Sequence, residues 1–268
     1  MLYFVGTPIG NMADISFRAI ETLQSVDIIC CEDTRHSLKL LNHYNIKKQL
    51  ISFHKFNEVK ETESIINLLN EGKNIAVITD AGMPIISDPG NILSKTLRER
   101  GIDYTVIAGG TAFVSALILS GLGADRFTFI GFMPEKKKDR ESLLKEHKLY
   151  KETLIFYSAP HDINKDLLDL YEVLGDRNVA VVKEISKIHE SAYITTLKNA
   201  KIEDAKGEYV IIVEGCQEME EDKFSLLTIE EHIALYVSRG MTKKDALKAV
   251  AKERGLSKNA LYKYTIEN

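Results

Sequence analysis

Ile75-Ala76-Val77-Ile78-Thr79-Asp80-Ala81-Gly82-Met83-Pro84-Ile85-Ile86-Ser87-Asp88-Pro89-Gly90 carries the clearest architectural signal in this chain. Residues 75–78 are a short apolar run rich in β-branched side chains, which suits a strand covered on both faces. The Gly and Pro residues that follow cannot continue it, so the chain turns out at the strand's carboxyl end. In open α/β sheets ligands sit at that edge, and Gly82, lacking a Cβ, lets a ligand approach the backbone. Pro84 and Pro89 stiffen the loop and remove two donors. Met83 and Asp88, each preceding a proline, favour extended backbone that leaves carbonyls facing outward. Such a loop offers acceptors and is no phosphate cradle; a plain strand-to-helix connection is the competing reading. Asp80 and Asp88 are read as residues that shape the turn.

On both sides of this stretch the same alternation recurs. Leu2-Tyr3-Phe4-Val5 is an apolar run ending at Gly6-Thr7-Pro8-Ile9-Gly10-Asn11, after which Ser16 is placed to cap a helix. Those glycines match neither the phosphate-loop nor the dinucleotide pattern. A second strand, Asp27 to Cys31, runs into Glu32-Asp33-Thr34-Arg35, where charge pairing or helix capping competes with substrate contact. Helices are expected over about 34–44, 59–71 and 91–100. Strands are expected at Gln49–Phe53, before the polar cluster His54-Lys55-Phe56-Asn57-Glu58, and at Tyr104–Ile107, before Ala108-Gly109-Gly110-Thr111-Ala112. This order predicts a mainly parallel α/β sheet with its loops meeting at one edge.

Gly121-Leu122-Gly123-Ala124 reads as a boundary, giving domains at 1–121, 122–227 and 228–268. The second contains strands at 127–130, 153–157, 178–182, 191–197 and 208–213, an amphipathic helix through Leu167, Leu168, Leu170 and Leu174, and some antiparallel pairing. Its basic run, Lys136, Lys137, Lys138 and Arg140, is either a solvated helix start or a phosphate contact. The last segment reads as short helices at about 229–239, 242–253 and 257–264, with Thr242 and Ser257 as caps. From Thr242 onward it carries seven Lys or Arg against three acids, as helix-turn-helix nucleic-acid contact or solvated helices would.

The chain has 268 residues, of which 44% are hydrophobic and 28% charged, with a formal net charge of −4. A nucleic-acid partner is therefore not advertised globally and has to be sought in local patches. No stretch reaches the roughly 18 apolar residues of a membrane span, so the expectation is a soluble, cytoplasmic protein without membrane contact. Cys30, Cys31 and Cys216 fit neither a disulfide framework nor metal-ligand spacing and are expected to be small core residues; no metal site is expected.

Taken in order, Val5–Asn11, Cys31–Arg35, Ile78–Pro84 with Ser87–Gly90, Gly131–Pro134, Tyr157–His161, Val182–Glu184 and Lys206–Tyr209 resemble the tetrapyrrole methylase superfamily. Within it they resemble the branch of ribosomal small-subunit RNA (cytidine-2′-O)-methyltransferases. The resemblance spans nearly the whole chain. It implies a two-domain tetrapyrrole-methylase-like α/β fold with a mainly parallel N-terminal sheet, a mixed C-terminal sheet and a small helical tail. It further implies a homodimer, S-adenosylmethionine bound between the domains, and 16S ribosomal RNA of the small subunit as substrate. Carried over residue by residue, the cofactor contacts fall on Pro8, Gly82, Met83, Pro84, Ile86, Thr111, Ala112, Phe156, Ala180 and Gly207. Ala108–Ala112 stands where the family has Pro-Gly-Pro-Ser-Ala, and His54–Glu58 where it has His-Glu-His-Asn-Glu. Methyl transfer to a ribose oxygen is an in-line displacement that needs positioning above all. Lys183, Glu184, His54 and Asp33 are candidate bases, Lys183 and Glu184 alternatively an orienting ion pair, and Arg35 a group that aids transfer by meeting phosphate. Arg35, Lys136, Lys137, Lys138, Arg140, Lys243 and Lys244 are the candidate RNA contacts. A methylase of the same fold acting on a tetrapyrrole or other small molecule, and a non-enzymatic RNA-binding protein, are the rival readings.

Overall fold

Strands buried on both faces read as continuous apolar runs, and three such runs form the middle of the first sheet in the computed structural model. The structure describes residues 1–217, 227–254 and 256. In chain order the first ten elements are β1 (Leu2–Val5), α1 (Phe17–Ser25), β2 (Ile28–Cys31), α2 (Thr34–His43), β3 (Gln49–Ser52), α3 (Glu58–Asn70), β4 (Ile75–Val77), α4 (Asn91–Glu99), β5 (Tyr104–Ile107) and α5 (Ala112–Ser120). The sheet order is β3-β2-β4-β1-β5, with every pairing parallel, so the strand read first lies at its centre. One face packs Phe4, Cys30, Ile75 and Val77 against Ile65, Ile66, Leu93 and Leu97. The other packs Val5, Ile29, Cys31 and Ala76 against Ala19, Leu23 and Leu41. Cys30 and Cys31 are thus core residues, whereas Cys216 is half-buried.

The next seven elements are β6 (Phe127–Phe132), α6 (Lys137–Glu146), β7 (Thr153–Ser158), α7 (Ile163–Leu174), β8 (Asn178–Lys183), β9 (Ser191–Thr196) and β10 (Tyr209–Val213). They build a sheet of order β6-β7-β10-β8-β9, in which β6 and β7 are parallel and the other neighbours antiparallel. One face holds Phe156, Val181 and Ile211 under α6 and α7, and the other holds Ile155, Ala180, Val182 and Ile212 under α5. Both sheets belong to one compact unit, Met1–Cys216; Gln217–Asn268 form a second unit. In the second unit, α8 (Ile229–Ser238) begins with a capping box on Thr228, and α9 (Lys243–Glu253) follows Gly240. Ile233, Ala246, Leu247 and Val250 form the core of this helix pair. Thr242 accepts from the Asp245 amide at 3.2 Å, as a cap does. The helix expected at 257–264 lies outside the described residues. No described helix is long and apolar enough to cross a membrane.

The basic run at 136–140 divides sharply. Lys136, Lys137 and Lys138 are exposed at the start of α6. Arg140, expected to meet RNA phosphate, is buried instead, because a helix turning its next face inward carries the guanidinium beneath α7. There it donates to Asp169 at 2.6 Å and to Asp166, and Asp166 also accepts from the Ser158 hydroxyl at the end of β7. Arg140 is therefore a structural ion pair that fixes the loop after β7. Arg140→Ala, which strands two buried carboxylates, is expected to cost about 3–5 kcal/mol. The check is the midpoint of urea unfolding; an unchanged midpoint would contradict the assignment.

Candidate functional site

The loops at the carboxyl edge of the first sheet are stitched together by backbone. Thr7 and Gly82 exchange amide hydrogen bonds of 2.9 and 3.2 Å, joining the loop after β1 to the loop after β4. The Thr7 hydroxyl adds bonds to the carbonyls of Thr79 and Gly82 at 3.2 and 3.3 Å. Gly6 lies against Gly109 so closely that a Cβ on Gly6 would come within 2.7 Å of the Gly109 backbone, which brings the loop after β5 into the same layer. At its far end the β4 loop is held by Glu58, whose buried carboxylate accepts from the amides of Gly90 and Ile92 at 2.9 and 2.8 Å. Glu58 thereby caps α4, and Asn57 binds His54 N and Ser52 O, so the 54–58 cluster serves the loops. Between these fastenings Ile85 and Ser87 have φ of 78° and 69°, the left-handed region that L residues rarely adopt.

Above this layer lies a cavity of about 450 Å³ between the edges of the two sheets. Gly82, Met83, Ile86, Thr111 and Ala112 line it from the first sheet's loops, and Phe132, Tyr157 to Pro160, Ile185 and Glu208 to Val210 from the second sheet's side. Among the described residues its charged lining is Asp80, Asp88 and Glu208, with no Lys, Arg or His. Asp88 is half-buried, and its carboxyl is pushed up to about 7, first by burial and then by the neighbouring charges of Glu32 and Asp80. A second cavity of about 260 Å³ adjoins the first and shares Ile9, Asp80, Ala81 and Glu208 with it. Pro8, Gly10, His36, Lys39 and Lys187 also line it.

Five of the ten expected cofactor residues thus share one cavity, and Pro8 lines its neighbour. Pro84 is buried beneath the loop. Phe156 faces the core under α6 and α7, because successive strand residues alternate faces and it is Tyr157 that meets the cavity. Ala180 packs under α5, below the cavity wall. Gly207 answers a different need: a Cβ there would lie 2.4 Å from Glu184 Oε1.

Glu184 (φ 51°) holds the ends of β8 and β10 together: its carboxylate accepts from the Glu208 amide and from Lys187 Nζ, each at 2.9 Å. Lys187 also donates to Glu208 at 2.7 Å. Lys187 holds the Glu184 carboxyl below its ordinary range. The expected Lys183–Glu184 pair is therefore a Lys187–Glu184–Glu208 clamp, and Lys183 instead sits 5.9 Å from the Tyr209 ring centroid, on a groove beside β9. Arg35 pairs with Asp33 at 2.9 Å, Asp33 caps α2, and neither lines the two cavities. Lys243 and Lys244 are exposed on α9 in the second unit. Tyr157, Glu208 and the two aspartates went unread as cavity walls; the motifs containing them were the available signal.

Residues 1–201 match the family of Tetrapyrrole (Corrin/Porphyrin) Methylases. The chain belongs to that family. Among its relatives, the "Ribosomal RNA small subunit methyltransferase I" of Halalkalibacterium halodurans is 43% identical, over 97% of this chain and 93% of the relative. The protein of the same name from Bacillus subtilis is 40% identical, over 98% and 92%. Similar solved folds include the methyltransferase CobJ, with 18% identity and a TM-score of 0.63 over 80% of this methylase and 94% of that chain. Diphthine synthase is another, with 16% identity and a TM-score of 0.61 over 80% and 89%.

A carboxyl group raised in the folded methylase above its ordinary value of 3.8 stabilises the fold fully below that pH and loses the contribution as pH rises through about 7. Asp88→Asn keeps the neutral form at every pH. Its Tm is expected to exceed that of the wild type at pH 8 and to match it near pH 4; a pH-independent difference would contradict the burial of Asp88.

Proposed function

We propose that this methylase binds S-adenosylmethionine in the larger cavity and methylates the ribose 2′-oxygen of a cytidine in 16S ribosomal RNA of the small subunit. The observation that carries the reading is the charge of the cavity: three acidic side chains line it, Glu208 among them paired with Lys187, and among the described residues no basic side chain does. A sulfonium cation fits such walls, whereas a pyrophosphate-bearing cofactor would find no basic lining side chain to meet its charge. The relatives named as small-subunit ribosomal RNA methyltransferases align with this chain over nearly its whole length, and they support the acceptor.

Gly82, Met83, Ile86, Thr111 and Ala112 would hold the cofactor, with close backbone approach at Gly82. When bound, S-adenosylmethionine supplies a methyl carbon that the ribose oxygen attacks as the carbon–sulfur bond breaks, its electron pair staying on sulfur as a neutral thioether. This chain contributes orientation: two adjoining cavities with a common wall set donor and acceptor on either side of Ile9, Ala81 and Asp80. Of the two carboxylates on that wall Glu208 is paired with Lys187, which leaves Asp80 to take the hydroxyl proton, while Glu184 acts on the reaction through the clamp it holds. Lys136, Lys137 and Lys138 on α6 would meet phosphates outside the cavities, and Lys243 and Lys244 on α9 would do the same for the second unit. The reaction takes place in the cytoplasm.

The active form in this reading is a homodimer. α5 is apolar around its whole circumference yet leaves Val114, Ile118 and Leu119 exposed, Ile118 by 74%, and Phe113 beside them contacts the exposed Phe127. Ile118→Asp is expected to convert a dimer into a monomer in sedimentation equilibrium; a wild-type monomer would refute the assembly. For the reaction itself, radiolabelled S-adenosylmethionine and small subunits from cells lacking this protein should yield labelled 2′-O-methylcytidine on nucleoside analysis. Label found only in a tetrapyrrole, or no transfer at all, would overturn the assignment.

A further inference from the structure

The smaller cavity is lined by charges of both signs. Its acids, Asp80 and Glu208, lie on the wall shared with the larger cavity, and its bases, His36, Lys39 and Lys187, are absent from that shared wall. Lys187 is compensated by Glu184 and Glu208. His36 and Lys39 are exposed, stand one helical turn apart on the same face of α2, and form no ion pair among the described residues. The loop Thr7–Gly10 also lines the cavity, and its Pro8 and Ile9 offer apolar surface. Apolar surface, the carboxylates shared with the larger cavity and two basic donors outside any described ion pair suit a ligand that carries both a neutral sugar hydroxyl and an anion.

We propose that the smaller cavity is the acceptor-nucleotide subsite, with Lys39 and His36 binding a backbone phosphate adjacent to the ribose that receives the methyl group. The inference rests on the functional reading above and adds the group that selects a nucleotide strand. At about 260 Å³ the cavity has room for a ribose and one flanking phosphate, the rest of the strand lying outside it. Lys39 and His36 are positioning residues: they fix where the ribose stops, and the shared wall fixes what it faces.

The test compares wild-type protein with His36→Ala/Lys39→Ala and with Lys39→Arg, assayed for methyl transfer to small subunits at several salt concentrations, alongside calorimetric binding of S-adenosylmethionine. The double variant is expected to raise KM about tenfold with kcat nearly kept. It should also reduce the slope of log(kcat/KM) against log salt by about 0.7 for each phosphate it no longer neutralises. Its cofactor affinity should be unchanged, and Lys39→Arg should restore most of the KM. An unchanged KM and salt slope in the double variant, with wild type active, would overturn the subsite alone. Weakened cofactor binding would overturn it too, by placing these residues in the wrong cavity. Wild-type protein that binds the cofactor and leaves small subunits unlabelled would overturn the functional reading, and the subsite with it.

Discussion

Everything at this site depends on the two amide hydrogen bonds between Thr7 and Gly82. Loops after neighbouring parallel strands normally diverge, since nothing in a parallel sheet pairs its loops. Here a short antiparallel bridge ties them, and the Gly6–Gly109 contact brings in the third loop at a distance that no side chain permits. The result is a rigid shelf of backbone across three strands. Preorganisation of that kind is what an in-line displacement needs, because binding then spends little on ordering the protein.

Much of this was legible in the sequence. Apolar runs without alternation marked the central strands, and capping residues such as Ser16 and Thr242 marked helix starts. Gly82 could be placed at the sheet's carboxyl edge because that edge is a topological feature that local pattern reveals, whereas Met83 and Ile86 came from the family resemblance. What escaped the reading depends on partners distant in sequence. Whether Phe156 or Tyr157 faces the cavity turns on strand register against β10. Arg140 looks like its lysine neighbours until Asp166 and Asp169 arrive from a helix more than twenty residues on. Asp80 and Asp88 resemble turn residues locally, and their shared role as cavity walls emerges only when Glu208 joins them from the second sheet.

Paired charge, buried at Arg140 and partly exposed at Lys187, holds loops in place in this methylase. Arg140 and its two aspartates pin the loop after β7, including Ser158 on the cavity wall, and the Lys187–Glu184–Glu208 clamp fixes the other side of the same wall. Such groups gain little stability over well-packed apolar ones, but they specify one arrangement. Arg140, read in the sequence as an RNA contact, and Glu184, read there as a candidate base, are both engaged with charged partners inside the fold.

The Glu58 carboxylate at the start of α4 acts at a distance. With Gly82 tied to Thr7 at one end and Gly90 tied to Glu58 at the other, the segment between them is anchored at both ends. Ile86 and Asp88 on that segment line the larger cavity, whereas Glu58 lines neither cavity. The shape of the cavity wall is thus inherited from a helix start at the far end of the loop, and a change at Glu58 would be felt by side chains it never touches.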